Sequence, residues 1–309
     1  MNMGLSLKKC ELCPRRCGVD RTAGQRGFCG TGENVKIALV SLHQWEEPCL
    51  TGKNGAGTVF FSDCTMKCAF CQNYDVSHGG FGLEVTSERL TEIFLEQQAR
   101  GAASLDLVTP THYVPQIIAA LDAAKARGFS LPVVFNCGGY ENVETIEALR
   151  GYVDVFLPDL KYYDDGLARK YSNAPDYFAH ATAAIEKMFD LTGLFELKDG
   201  QMTKGMIVRH LVLPGQYRDS LKILDWLHER FGNDVYVSLM NQFTPMPQCT
   251  VRFPELRRRL TTMEYQKVLA HAEKLGMENC FVQSAGTAME KFIPRFDGSN
   301  VKVAEIAES

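Results

Sequence analysis

Cys64, Cys68 and Cys71 share one short loop directly after the apolar run Thr58-Val-Phe-Phe61. No other feature constrains the chain as strongly. Three thiols at that spacing, on a loop leaving a strand, can ligate three corners of a cubane iron–sulfur cluster, and the fourth iron then lacks a protein ligand. An open coordination position is where metal chemistry takes place. The rest of the chain is therefore expected to be a scaffold that encloses this loop.

Of the eleven cysteines, seven fall in two tight groups, which favours metal or redox roles over disulfides. The second group, Cys10-x-x-Cys13-x-x-x-Cys17 followed by Cys29, is interleaved with glycines of the kind tight loops around a metal require. Four thiols in such a knuckle suit zinc, a single iron or a second iron–sulfur cluster. Cys49, Cys137, Cys249 and Cys280 are scattered and read as small buried apolar residues. The N-terminal residues lack the apolar core of an export signal, so a cytoplasmic protein is expected. A net charge of −4 gives no electrostatic case for nucleic acid or membrane surfaces. No apolar run reaches the roughly 20 residues of a membrane span.

From Gly57 onward, short apolar runs alternate with amphipathic stretches. Strands are expected at 58–62, 105–109, 133–136, 153–157, 206–213 and 235–240, with helices at 87–100, 114–127, 142–150, 177–191, 221–231 and 262–275. The runs are nearly continuous rather than alternating, as in parallel strands covered on both faces. Six strands alternating with helices imply an α/β fold, a partial (β/α)6 barrel behind a small cysteine-rich knuckle. The expected division is residues 1–50 for the knuckle, 51–285 for the barrel and 286–309 for a tail that wraps or frays. A short strand is expected around Val35, Ile37 and Leu39, and a surface insertion at 192–205.

Catalytic groups in such barrels gather at the C-terminal strand ends. Here those ends carry Thr109-Pro-Thr111-His112, Asn136-Cys-Gly138-Gly139, Asp159-Leu-Lys161 and Asn241-Gln242, with Arg209 inside the fifth strand. Asp159 and Lys161 share a strand face, which fits either an ion pair or substrate contact. Arg209 needs a partner if buried; a bound carboxylate or Asp159 would serve. His43, Trp45, Glu46 and Glu47 either line a substrate pocket or merely pack and cap.

Cys64-x-x-x-Cys68-x-Phe70-Cys71 resembles the motif of radical S-adenosylmethionine (SAM) enzymes, including the aromatic residue before the last cysteine. The resemblance extends over about residues 57–241. It implies a [4Fe–4S] cluster on Cys64, Cys68 and Cys71 whose open iron binds SAM. It also implies one-electron cleavage of SAM to methionine and a 5′-deoxyadenosyl radical that abstracts hydrogen. Within that superfamily the chain resembles the pyruvate formate-lyase activating enzymes, particularly their activating-enzyme-like relatives with an N-terminal four-cysteine motif. By that likeness Asp159, Lys161 and Arg209 meet the methionine moiety or ribose, Phe70 lies near the adenine, and Asn136, His112 and Asn241 complete the SAM pocket. The activases carry Gly-Gly-Glu after the second strand; with Thr109-Pro-Thr111 there instead, Thr109 and Thr111 are the candidates for the SAM amino contact.

The resemblance also implies a low-potential electron donor such as flavodoxin or ferredoxin, an oxygen-sensitive holoprotein and a glycyl-radical enzyme as partner. Two other readings stay open. One is radical modification of a small molecule, peptide or RNA; the other is a non-catalytic iron–sulfur scaffold or redox sensor.

Overall fold

In the computed structural model, residues 5–283 and 294–302 are described. Among the described residues ten strands form: β1 Val35–His43, β2 Ala56–Phe61, β3 Leu83–Val85, β4 Leu105–Val108, β5 Val133–Cys137, β6 Val155–Pro158, β7 Glu196–Lys198, β8 Gln201–Leu211, β9 Tyr236–Met240 and β10 Cys280–Val282. Nine of them lie in the order β10-β9-β8-β6-β5-β4-β2-β1-β3, and β7 pairs on the side of β8. The six expected strands are β2, β4, β5, β6, β8 and β9, successive and parallel. β3 and β10 end the order without meeting, so the sheet is an open, partial barrel.

Every residue of β2, β5 and β6 is buried, because helices cover one face and the barrel interior the other. The helices Ser87–Ala99, Val114–Ala126, Tyr177–Thr192, Tyr217–Phe231 and Thr262–Leu275 bear their apolar stripes on the outer face. A separate interior cluster is formed by Val134, Val155, Leu157, Ile207 and Met202 against Cys49 and Leu50. Those two residues belong to the short helix Pro48–Thr51, which plugs the end of the barrel where the strands begin.

Several elements differ from expectation. The strand at 206–213 instead begins at Gln201 and ends at Leu211. A hairpin with Asp199 and Gly200 at positive φ pairs β7 onto it, and this exposed hairpin is the insertion at 192–205. The helix placed at 221–231 begins at Tyr217, and that at 142–150 shortens to Val143–Glu147. β1 runs for nine residues and joins the main sheet, antiparallel to both β2 and β3. β10 is three residues long, too short for a periodic signal. The tail wraps as far as residue 302: Phe296 packs edge-on to Phe60 at 5.4 Å, Asn300 Nδ2 donates to Val40 O at 2.8 Å, and Val301 is fully buried. The remainder of the expected 286–309 tail lies outside the described residues.

The N-terminal knuckle docks on the C-terminal edge of the sheet. Arg21 Nη1 donates to His112 O at 2.5 Å, Arg15 Nε to Thr65 O at 3.0 Å, Asn142 Nδ2 to Glu11 O at 2.7 Å and Thr145 Oγ1 to Leu12 O at 2.8 Å. One group of four bonds runs to the cluster loop, the β4 end and the β5 end, so the knuckle is fixed relative to all three.

On the far side, buried Glu264 joins three segments. Its carboxylate accepts from Gly215 N at 2.7 Å, from both Arg258 Nη atoms at 2.7 Å, and from Thr261 N at 3.0 Å in a capping box. These charged hydrogen bonds hold its pKa well below the usual carboxylate range. Glu264→Gln keeps the volume but loses the charge and is expected to destabilise the fold by about 2 kcal/mol at neutral pH. Urea denaturation checks this through a lower midpoint at unchanged slope.

Candidate functional site

The loop leaving β2 is held tightly. Asp63 and Lys67 both take positive φ, 71° and 54°, a strained conformation for residues with a Cβ. Gly138, at the end of β5, lets the loop approach closely, since a Cβ there would meet Met66 Sδ at 2.7 Å. Gly139 combines φ +82° with a position where a Cβ would stand 2.2 Å from Asp159 O. This glycine pair lets the cluster loop, β5 and β6 meet.

Met66 N approaches Cys64 Sγ at 3.4 Å and Ser172 Oγ donates to Cys68 Sγ at 2.9 Å, while Ser77 bonds Cys71. Burial pushes all three thiols up, Cys64 to about 11, and each thiol raises another further. The Lys161 ammonium acts in the opposite direction on all three. Three thiols spread along one loop, facing a cation and small hydrogen-bond donors, fit a cluster that offers a separate iron to each.

Below the loop lies a half-buried charge network. Arg209 Nε donates to Asp159 Oδ1 at 2.9 Å, Nη1 to Glu46 Oε1 at 3.3 Å and Nη2 to Asn136 Oδ1 at 2.5 Å. Lys161 Nζ makes a short contact with Asp159 Oδ2. Asp159 is therefore the partner that half-buried Arg209 requires, and the Asp159–Lys161 ion pair forms. Burial raises the pKa of Asp159, but Arg209 and Lys161 together outweigh it and hold the carboxyl below its usual range.

The network faces a cavity of about 350 Å³ at the open side of the barrel. Its walls include Asn136, Arg209, Ser238 and Gln72 of the cluster loop; His43, Glu46 and Glu47 enter from the segment before the plug helix, and Trp45 stands exposed at the rim. Glu47 bonds Ser238, yet burial and then the Glu46 charge push its pKa up to about 7. Asp106, on β4, is fully buried beside Glu46 and Asn136, and no donor reaches its oxygens in good hydrogen-bond geometry.

Thr109 follows β4 at φ +58°, a conformation that glycine adopts easily and a β-branched residue does not. The glycine-like turn after the second parallel strand is thus kept without the glycine. Thr111 is buried and hydrogen-bonded to Glu141, whose carboxyl burial raises to about 8. Asn241 N and Nδ2 bond Gln283 and tie β9 to β10, and Phe70 packs 6.1 Å from Phe243 in the apolar core. The structure therefore brings Asn136, Asp159, Lys161 and Arg209 together. His112 is not with them: its Nε2 pairs with Ser62 O at 2.8 Å, burial holds it near a pKa of about 3, and it borders the knuckle.

In the knuckle, Cys10, Cys13, Cys17 and Cys29 border one small cavity with Arg15 and Arg21. The Nη2 atoms of both arginines are buried without a hydrogen-bond partner. Asp106 and Glu141 were absent from the sequence reading. Asp106 lay inside an apolar run, where a charged residue on the interior face was the available signal; Glu141 had none.

Two outcomes are expected. Thr109→Gly removes the positive-φ strain and stabilises the fold by about 1 kcal/mol, measured by chemical denaturation. For Glu47, the raised folded pKa means its stabilising proton is fully bound below the ordinary value of 4.5 and lost as pH rises through about 7. Glu47→Gln lacks that loss. Across this window, the cofactor-free wild type is expected to fall by roughly 3 kcal/mol relative to the variant, read from denaturation midpoints at several pH values.

An uncharacterized protein of Methanocaldococcus jannaschii is 30% identical over 277 residues, covering 88% of this chain and 76% of that protein. Among solved structures, Streptococcus suis SuiB bound to the precursor peptide SuiA aligns with a TM-score of 0.49 at 12% identity, over 72% of this chain and 47% of SuiB. Methylornithine synthase (PylB) aligns at 0.45 and 15% identity, over 71% of this chain and 60% of PylB. The FeFe-hydrogenase maturase HydG of Carboxydothermus hydrogenoformans aligns at 0.44 and 13%, over 75% of this chain and 59% of HydG. The chain thus spans about half the length of these structures. The family model for the radical SAM superfamily matches residues 58–227, from β2 through the cysteine loop and the Arg209 network, and the chain belongs to that superfamily.

Proposed function

We propose that this protein is a radical SAM enzyme in which Cys64, Cys68 and Cys71 hold three irons of a [4Fe–4S] cluster and the Asp159–Lys161–Arg209 network holds SAM. The observation that carries the reading is the placement of the three-thiol loop directly over that network, at the C-terminal ends of the parallel strands. When bound, cluster and SAM supply one-electron cleavage of the sulfonium to methionine and a radical that abstracts hydrogen. The protein's own groups position and shield. Lys161 lies between the thiols and Asp159 and offsets negative charge on both sides. Arg209 and Asn136 fix the orientation of Asp159, and the buried strands exclude water from the interior. Thr109 and Thr111 would accept from the SAM ammonium, and Glu141 is hydrogen-bonded to Thr111.

The substrate enters at the open side, where Trp45 marks the rim of the cavity. Installation of a glycyl radical on a partner enzyme is the finer form of the proposal, in keeping with the likeness to activating enzymes. Small molecules, peptides and RNA are the alternatives. The knuckle thiols hold a second metal in this reading: zinc, iron or a cluster. The unpartnered N–H groups of Arg15 and Arg21 suit a thiolate centre of net negative charge. A low-potential flavodoxin or ferredoxin is the electron donor.

Anaerobic reconstitution with iron and sulfide, followed by SAM and dithionite, is expected to yield 5′-deoxyadenosine. Cys68→Ala abolishes it, and Lys161→Met lowers it by at least tenfold. A fully loaded protein that releases none refutes the reading and favours a scaffold or sensor. Metal analysis of the same sample is expected to give about four irons with zinc in the knuckle, or about eight with a second cluster. Deuterium transfer from labelled candidates into deoxyadenosine then separates partner activation from the other substrates.

A further inference from the structure

We propose that the cavity at the open side of the barrel receives a positively charged group of the substrate, an ammonium or guanidinium, between Glu46, Glu47 and Asp106. The inference rests on the radical SAM reading for its substrate and names the chemistry of that substrate.

The argument starts from charge. Four carboxyl groups act on Arg209: Asp159, Glu46, Glu47 and Asp106. Only Arg209 and Lys161 answer them among the described residues of this network: both are engaged with Asp159, and Arg209 also with Glu46, which leaves Glu47 and Asp106 without a cation of their own. Burial holds the His43 imidazole below its usual range, so it adds no positive charge at neutral pH. Two carboxyl groups are in excess, in an interior where an unpaired charge costs several kcal/mol.

Asp106 is the decisive residue. It is fully buried, no donor reaches either oxygen in good hydrogen-bond geometry, and its polar neighbours are Asn136 and the second carboxyl Glu46. Most buried polar groups are paired, so one that is not marks a site built for something else. Its position on β4 shares a face with Val108, which lines the cavity, and alternate strand residues point the same way. Without a ligand, burial and the neighbouring Glu46 charge push the carboxyl of Asp106 toward its protonated form, and Glu47 is pushed in the same direction. An entering cation would allow both to ionise and would release protons.

The SAM ammonium is the other possible source of such a cation. Asp106 lies two residues before Val108, roughly 7 Å along the strand away from the C-terminal edge where the cysteine loop sits. Glu46 and Glu47 come from the opposite end of the barrel, ahead of the plug helix. This placement favours a substrate group that reaches down from the open side.

Isothermal titration of the anaerobic holoprotein, with SAM and without it, tests the assignment. The probes are agmatine, Nα-acetyl-lysine amide and Nα-acetyl-arginine amide, with the neutral Nα-acetyl-norleucine amide and Nα-acetyl-citrulline amide as counterparts. At least one cation is expected to bind tenfold or more tightly than the neutral probes. Glu47→Gln and Asp106→Asn should each weaken it at least tenfold while SAM affinity changes less than threefold; Glu47→Asp should retain binding. Circular dichroism establishes that the variants are folded, and the two substitutions lie on different elements, so one unfolded variant leaves the other decisive. Equal binding of cationic and neutral probes, or binding of none, overturns the proposal. So does a loss of SAM affinity matching the loss of probe affinity, which would assign the carboxylates to the SAM ammonium. Cation binding by a protein that binds no SAM would instead keep this inference and refute the radical reading.

Discussion

The interior of the barrel depends on Arg209. A guanidinium removed from water is tolerable only when its donors find acceptors, and here β6, β5 and the segment before the plug helix each provide one. The bonds to Asp159, Asn136 and Glu46 therefore do structural work before any ligand arrives. They fix the facing side chains of three strands and anchor an otherwise external loop inside the barrel. Once Asp159 is fixed, so is Lys161, two residues further on and paired to it. Lys161 in turn is the cation common to all three thiols of the β2 loop. The cysteine loop and the cavity are thus coupled through one half-buried ion network, and the geometry of each follows from the other.

The fold was legible because parallel strands buried on both faces leave continuous apolar runs. β2, β4, β5, β6 and β9 appear close to where such runs lie, and the intervening helices carry apolar stripes of helical period. Where the reading failed, a different physical cause governed. β8 extends backward to Gln201 because a hairpin outside the barrel pairs with it, an arrangement that no local pattern encodes. β10 has three residues, and its role in the sheet comes from β9 beside it. β1 was expected as a short strand; its partner β3 lies forty residues beyond, across the whole cysteine loop.

The candidate site was legible to a different degree. Residues at strand ends could be placed once the strands were, which is why Asp159, Lys161, Arg209 and Asn136 converge. His112 shows the limit of that logic. It too follows a strand end, but the turn Thr111–Tyr113 carries its ring outward to Ser62 and the knuckle. A position on the correct edge does not determine which side of the sheet a side chain faces once the strand has ended. Glu46 and Glu47 present the reverse case. They precede the barrel in sequence, and nothing local says that they turn inward; the plug helix after them, seated on Val134, Val155 and Ile207, does so.

Strain and unsatisfied polarity point to the same region. Asp63, Lys67 and Thr109 hold positive φ around the thiol loop, and Asp106 and Glu141 keep buried oxygens without partners nearby. Each costs the folded chain something on the order of 1–3 kcal/mol that a less constrained residue would avoid. A barrel of this size has many positions where such costs could fall, yet the apolar cluster at the plugged end carries none of these residues. Buried Gln97 and the positive-φ residues Asp176 and Asp199 carry parts of the energetic frustration elsewhere, while a share of it falls where the cysteines, the Arg209 network and the cavity meet. That is the pattern expected when binding, rather than folding, completes the interactions of a site.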